Sequence, residues 1–298
     1  MRPRRSFIFM SALAATLALA LALALPTAPA TANDGSPDTS GQFPNVGAVV
    51  VTINENGHVG WRAAGSGTLI SPDQFLTAHH IVDFIGWLQL SLDVTSVSVT
   101  FDGDLHAGPL PETVLYGMPV DMAGRESDLI PVDLGDTEFL PGYHPAANPG
   151  FNDLAILQLE PLAPIAITPV QLPTRTFTST DFTADPVLQA AGYGTWFTWD
   201  TGQARISRGD PKTWAWNGTR NVSSIAYQGL TQTQLVTNAN EQSRLGGGLC
   251  LGDSGAPLFH NGVEVALVIW GDLVCRSIGF SQRLDTPEVR DWLDTNMP

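Results

Sequence analysis

Near its carboxyl end the chain reads LCLGDSGAPLF over residues 249–259, with Ser254 between an aspartate and a glycine. A serine hydroxyl is a poor nucleophile at neutral pH, so acyl transfer needs a histidine to take its proton and an acid to orient that histidine. Such partners need only meet in space. Two earlier segments could supply them, GTLISPDQFLTAHHIVD at 67–83 and NDLAILQL at 152–159. The first offers two adjacent bases, His79 and His80, and a nearby acid, Asp83; the second offers Asp153 at the head of an apolar run. His58, His106, His144 and His260 stand in no comparable context and read as surface or packing histidines. An α/β-hydrolase elbow is excluded, because G-x-S-x-G would put a glycine at Ala256 and its triad runs in the order Ser, Asp, His.

The elements that must position these residues read as short strands. Residues 46–53 and 154–159 are mostly apolar runs; Val97, Val99 and Phe101 alternate with Ser98 and Thr100; Val263, Val265, Leu267 and Ile269 alternate with Glu264 and Ala266. Alternation with period two, cut at short intervals by Gly, Pro, Asn and Asp, predicts antiparallel sandwiches or barrels. No long amphipathic helix is predicted to interrupt them. The clearest helix is terminal, with Thr286 as cap, Pro287 in the first turn, and Val289, Trp292 and Leu293 on one stripe. Residues 102–150 read as loops carrying Asp102, Asp104, Glu112, Asp121, Glu126 and Asp128; the spacing fits no EF-hand loop, so these read as solvated acids and no metal is expected. Four prolines between 161 and 173 suit a stiff connection between two halves.

At the amino end, Arg2, Arg4 and Arg5 precede an almost unbroken apolar run over 7–25, followed by A-x-A sites at 28–32. That is the layout of a secretory signal peptide over residues 1–32; the run is also long enough for a membrane anchor, and the A-x-A sites favour cleavage. Removing these residues leaves 11 basic against 29 acidic side chains, a net charge near −18 from the −15 of the whole chain. Nucleic acid and anionic membranes, whose binding rests on clustered Lys and Arg, are excluded as partners. Cys250 and Cys275 are the two cysteines, and an even count in an oxidising compartment favours one disulfide. The spacings that a zinc site needs are missing.

In their order along the chain, the three segments resemble the histidine, aspartate and serine motifs of the chymotrypsin-like (trypsin-fold) serine proteases, in a secreted, bacterial-type form. Thr77-Ala78-His79-His80 resembles T-A-A-H, which implies His80 as general base and puts His79 at the usual alanine; Asp153 maps to the orienting acid and Ser254 to the nucleophile. The resemblance implies an oxyanion hole from the amides of Gly252 and Ser254, a Cys250–Cys275 bridge beside the specificity pocket, and a pocket with its floor at Gly248 and its walls at Trp270, Gly271 and Gly279. It also implies two antiparallel six-stranded β-barrels and a C-terminal helix, with His80 and Asp153 in a barrel over 33–165 and Ser254 in one over 166–298. A monomeric, extracellular endopeptidase follows, acting on polypeptides, open to proteinaceous inhibitors and needing no cofactor. The competing expectation is a catalytically inactive protease-fold binding protein.

Several residues depart from the family pattern. Ala256 replaces a glycine; Gly65 and Ile81 stand where many members carry a disulfide around the histidine loop, so packing must hold that loop; Ile269 replaces a serine that supports the catalytic aspartate. Past residue 32 the first arginine is Arg62, and no I-V-G-G-like sequence follows a basic residue before Val46. Signal peptidase is therefore expected to create the mature end near Asn33, with the partner of Asp253 left open. An uncharged pocket predicts cleavage after apolar residues, unless Arg276 favours an acid.

Overall fold

The structure is a computed structural model that describes residues 36–106, 117–144, 151–160, 162–164, 166–197, 214–216, 218–238, 248–271 and 278–298. The expected signal segment over residues 1–32, Glu112, Cys275 and Arg276 lie outside the described residues. In chain order come β1 (Ser36–Pro37), β2 (Val46–Glu55), β3 (His58–Ser71), β4 (Gln74–Thr77), helix α1 (His79–Ser91), β5 (Val94–Thr100), β6 (Met118–Val120), β7 (Ile130–Pro131), β8 (Glu138–Phe139) and β9 (Ala155–Gln158). There follow α2 (Ser179–Ala184), β10 (Val187–Gly192), the short pair β11 (Trp196–Phe197) and β12 (Trp214–Ala215), β13 (Asn221–Leu230), β14 (Gln234–Asn238), β15 (Pro257–His260), β16 (Val263–Gly271), β17 (Ile278–Arg283) and α3 (Pro287–Asn296).

Besides the separate β11–β12 pair, the described strands form two antiparallel sheets. The first runs β7-β5-β2-β3-β4-β9-β8 with β6 added beside β3, and a bridge from Val132 to Leu159 ties its β7 end to its β9 end. Its β2–β3 hairpin turns on Asn56-Gly57, both left-handed, which is the two-residue turn whose twist matches that of the strands. The second sheet closes on itself through β13-β10-β15-β16-β17-β14, because β14 also pairs with β13. The expected chymotrypsin-like architecture with a terminal helix is thus present, the second sheet as a closed six-stranded barrel and the first as a curled sheet of eight strands where six were expected, and β1 crosses over to pair with β13 of the second sheet.

The apolar runs have a physical cause in this layout. In β2, Val49, Val51 and Ile53 face the core of the first barrel, while Val46, Ala48 and Val50 face a cluster shared with Ala191, Tyr193 and Phe259 of the second half. A strand covered on both faces has no polar side, so it reads as a run. β16 is covered in the same way: Leu267 and Ile269 join the first core, and Val265 and Val268 the second.

Two expectations about helices met different outcomes. Helix α3 forms as expected, with the Thr286 side chain accepting from the Val289 N–H and Val289, Trp292 and Leu293 buried. Helix α1 was not expected. Its buried stripe is Ile81, Ile85 and Leu88, at helical spacing, but Val82, Phe84, Trp87 and Leu90 surround it with further apolar residues and blur the amphipathic signal. The proline-rich connection is laced to both sheets: Val170 N–H donates to Leu69 O, and Glu264 N–H to Gln171 O.

Candidate active site

The β4–β9 ladder pairs Thr77 with Ala155, so the chain leaving β4 and the chain entering β9 run side by side. That places His80, in the first turn of α1, beside Asp153. The His80 main-chain N–H donates to Asp153 Oδ1 at 2.9 Å, and His80 Nδ1 lies 2.7 Å from Asp153 Oδ2. The Asp153 side chain is 2% exposed and the His80 ring 29%. A carboxylate bound twice by one residue fixes the ring's plane and puts the proton on Nδ1, which leaves Nε2 as a base. Asn152, left-handed at φ 53°, sets the approach to Asp153; its N–H donates to Gln282 Oε1 and its side chain to Pro141 O. The other acid and base in the segment face each other instead, Asp83 Oδ1 standing 3.8 Å from His79 Nε2, one helical turn away.

Ser254 sits in a tight loop docked on β3. Ser66 N–H donates to Ser254 O at 2.8 Å, Ser66 Oγ donates to Gly252 O at 2.8 Å, and Tyr193 N–H donates back to Ser66 Oγ at 3.0 Å. Gly255, at φ +81°, lies so close to Ser66 O and the Thr77 hydroxyl that a Cβ there would overlap both. The loop is thereby fixed against the strands that lead to His80. Gly65 closes the link from the other side: a Cβ on it would overlap Ile81 Cδ1 and stand 3.1 Å from Ser254 O. Ile81 is thus packed directly on a bare Gly65, which holds the histidine loop by packing. Among the described residues, no acceptor lies on the amide N–H of Gly252 or of Ser254.

Asp253 points inward from this loop, 3% exposed, and accepts from the N–H groups of Cys250 and Gly194, each at 2.9 Å. Burial pushes its carboxyl pKa up to about 7, against those two N–H bonds. The strand ending at Gly192 and the following Gly194 make room for it, since a Cβ at either would collide with its oxygens. Cys250 carries no free thiol.

The pocket positions gather around Leu249. Gly248 is buried; a Cβ on Gly279 would lie 2.7 Å from Thr237 Oγ1 and 3.0 Å from Leu249 Cδ1; one on Gly271 would meet Leu249 O at 3.8 Å. Trp270 is 54% exposed and packs against Phe280. Ile269 is buried in the core, so the two bonds described for Asp153 both come from His80. Of the acids expected to be solvated, Asp104, Asp121, Glu126 and Asp128 are exposed, whereas the Asp102 carboxylate pairs with Arg125, which also donates to the main-chain carbonyls of Asp104 and Asp121. Among the described residues no group of three or more His, Cys, Asp or Glu could hold a metal ion.

Sequence reasoning missed Ser66 and the Asp38–Arg220 pair. Ser66 left a faint signal in the small-residue string Gly65-Ser66-Gly67, which permits close approach of another backbone. Asp38 and Arg220 left none, because 182 residues separate them.

The family model described as Trypsin matches residues 131–293, more than half of the chain, a span that includes Asp153 and Ser254 and begins after His80. No curated protein matches the sequence significantly. Among solved structures the chain is similar to human heparin binding protein, at a TM-score of 0.55 and 20% identity over 89% of this chain and 96% of that one. It is also similar to an atomic-resolution structure of HBP, at 0.56 and 18% over 88% and 95%. A mutant of human heparin binding protein (CAP37) gives 0.54 and 19% over 89% and 96%. At such identities these neighbours speak for the fold alone, and with the family match they agree on one conclusion: the chain belongs to the trypsin family, the chymotrypsin-like serine proteases.

Proposed function

We propose that the chain is a secreted serine endopeptidase working through an acyl-enzyme, with His80, Asp153 and Ser254 as its triad. The observation that carries this reading is the doubly bonded His80–Asp153 pair in a protein whose GDSGAP loop is docked on the strands leading to that pair. Ser254 Oγ attacks the peptide carbonyl as His80 Nε2 takes its proton, the amides of Gly252 and Ser254 receive the oxyanion, and His80 returns the proton to the leaving amine. Asp153 holds the ring's tautomer and offsets the charge of the imidazolium. Water then attacks the ester, and the same base serves in reverse.

The uncharged pocket positions Gly248, Gly271 and Gly279, with Leu249 beside them, favour an apolar residue before the scissile bond. Secretion by cleavage after residues 28–32, a Cys250–Cys275 bridge and a monomeric state belong to the same proposal. Hydrolysis of a peptide library by the purified mature protein tests it: cuts after apolar residues, absent in Ser254→Ala, support the reading. Cuts confined to Lys and Arg would overturn the pocket assignment.

A second reading, a protease-fold binder, is favoured by Ile269 in place of a polar support for Asp153. The similar solved structures are named for heparin binding. Heparin is a polyanion, and a net charge of −15 opposes it here.

A further inference from the structure

Residue 79 is where the histidine motif carries an extra ring. The His79 imidazole lies between Phe139 and Tyr143, with ring centroids 4.2 Å away on each side and planes tilted by 32° and 31°. Phe139 belongs to β8, which pairs with β9 at Phe139–Ala155, and Leu140 N–H donates to Leu154 O. Phe139 is therefore fixed to the backbone that continues directly from Asp153. The three-ring cluster is thus a second tie between the first turn of α1 and the Asp153 strand, independent of the hydrogen bonds that His80 makes to the carboxylate.

We propose that His79 is a positioning residue for the general base: clamped between Phe139 and Tyr143, it fixes the first turn of α1 so that His80 keeps both of its bonds to Asp153 and water stays off that carboxylate. The proposal rests on the reading of His80 and Asp153 as the catalytic pair.

The chemistry of the ring suits this role. Its side chain is 18% exposed, and Nδ1 is buried with no hydrogen-bond partner among the described residues. Burial holds its pKa below the ordinary histidine value, although Asp83 and Asp153 pull the other way; His80 adds to the lowering. A neutral ring stacks without competing with His80 for the charge on Asp153. Tyr143, on the far face, is likewise kept neutral by burial and by Asp153 and Asp83.

The test is the low-field proton resonance of the His80 Nδ1–H, read beside the kinetics in His79→Ala, His79→Leu and His79→Phe. Phenylalanine restores a planar ring and should keep the resonance and kcat within about twofold; alanine should lose the resonance to solvent exchange and about tenfold in kcat, with KM little changed. Leucine, which fills the space without a plane, should fold and behave like alanine, and it decides the matter if alanine unfolds. Retention of both the resonance and kcat in alanine and leucine overturns the proposal. The resonance does not require turnover, so a parent protein that shows it without hydrolysing peptides would count against the protease reading and leave the clamp standing.

Discussion

Asp153 is 2% exposed and spends its charge on two bonds from His80, whereas Glu264, fully buried on β16, has neither carboxylate oxygen hydrogen-bonded among the described residues. Burial pushes the Glu264 pKa up to about 8, and the nearby Thr68 hydroxyl, outside hydrogen-bond geometry, offsets only part of that. A carboxyl whose pKa is raised by folding holds its proton more tightly in the native state, so stability is lost as pH climbs from the unfolded value toward the folded one. Between pH 5 and 8 the parent protein should therefore lose Tm relative to Glu264→Gln, with the variant ahead by about 1–3 kcal/mol at pH 8. Parallel melting curves across that range would refute it. In the sequence Glu264 looks like the solvent side of an alternating strand, because period two cannot tell a strand with one wet face from a strand lying between two cores. The candidate triad was easier to read, since the segments around Ser254, His80 and Asp153 each have a local signature.

At the scale of elements, the placement of the Ser254 loop depends on backbone meeting backbone. Gly255 combines φ +81° with a site where a Cβ would overlap Ser66 O and Thr77 Oγ1, while Gly262, at φ +80°, has nothing within 4 Å of a would-be Cβ. Alanine at 262 should cost about 1 kcal/mol for the left-handed backbone alone, and alanine at 255 about 2–4 kcal/mol because the loop must also leave β3. Denaturant unfolding of the two variants checks this, and equal losses would contradict the docking. Strand 46–53 was legible because its apolar content is dense, and strand 263–269 because its apolar residues alternate with period two. Helix α1 was not: the stripe of Ile81, Ile85 and Leu88 is flanked by Phe84, Trp87 and Leu90, and the last of these is 87% exposed. The docking of the Ser254 loop on Ser66 was equally hidden, since small residues announce a close approach without naming what approaches.

Across the whole molecule, Arg220 is a knot that no local pattern could show. It bonds Asp38 near the described start of the chain, Val46 O and Phe101 O of the first half, and the Tyr193 hydroxyl of the second. With the laced 161–173 connection and the cluster around Phe43, Val46, Tyr193 and Phe259, it sets the first sheet against the second, which is what a site drawing His80 and Asp153 from one and Ser254 from the other requires. The family's two-barrel plan was readable from three motifs in order; the interactions that join the barrels were not, because they link residues far apart in sequence. The account's central claim is that this assembly makes Ser254 a nucleophile. Treatment of the folded, purified protein with a fluorophosphonate, followed by peptide mass mapping, tests it most directly. The account predicts one adduct, on Ser254, absent from Ser254→Ala and strongly slowed in His80→Ala; a folded protein that takes up no label, or takes it up elsewhere, would contradict it.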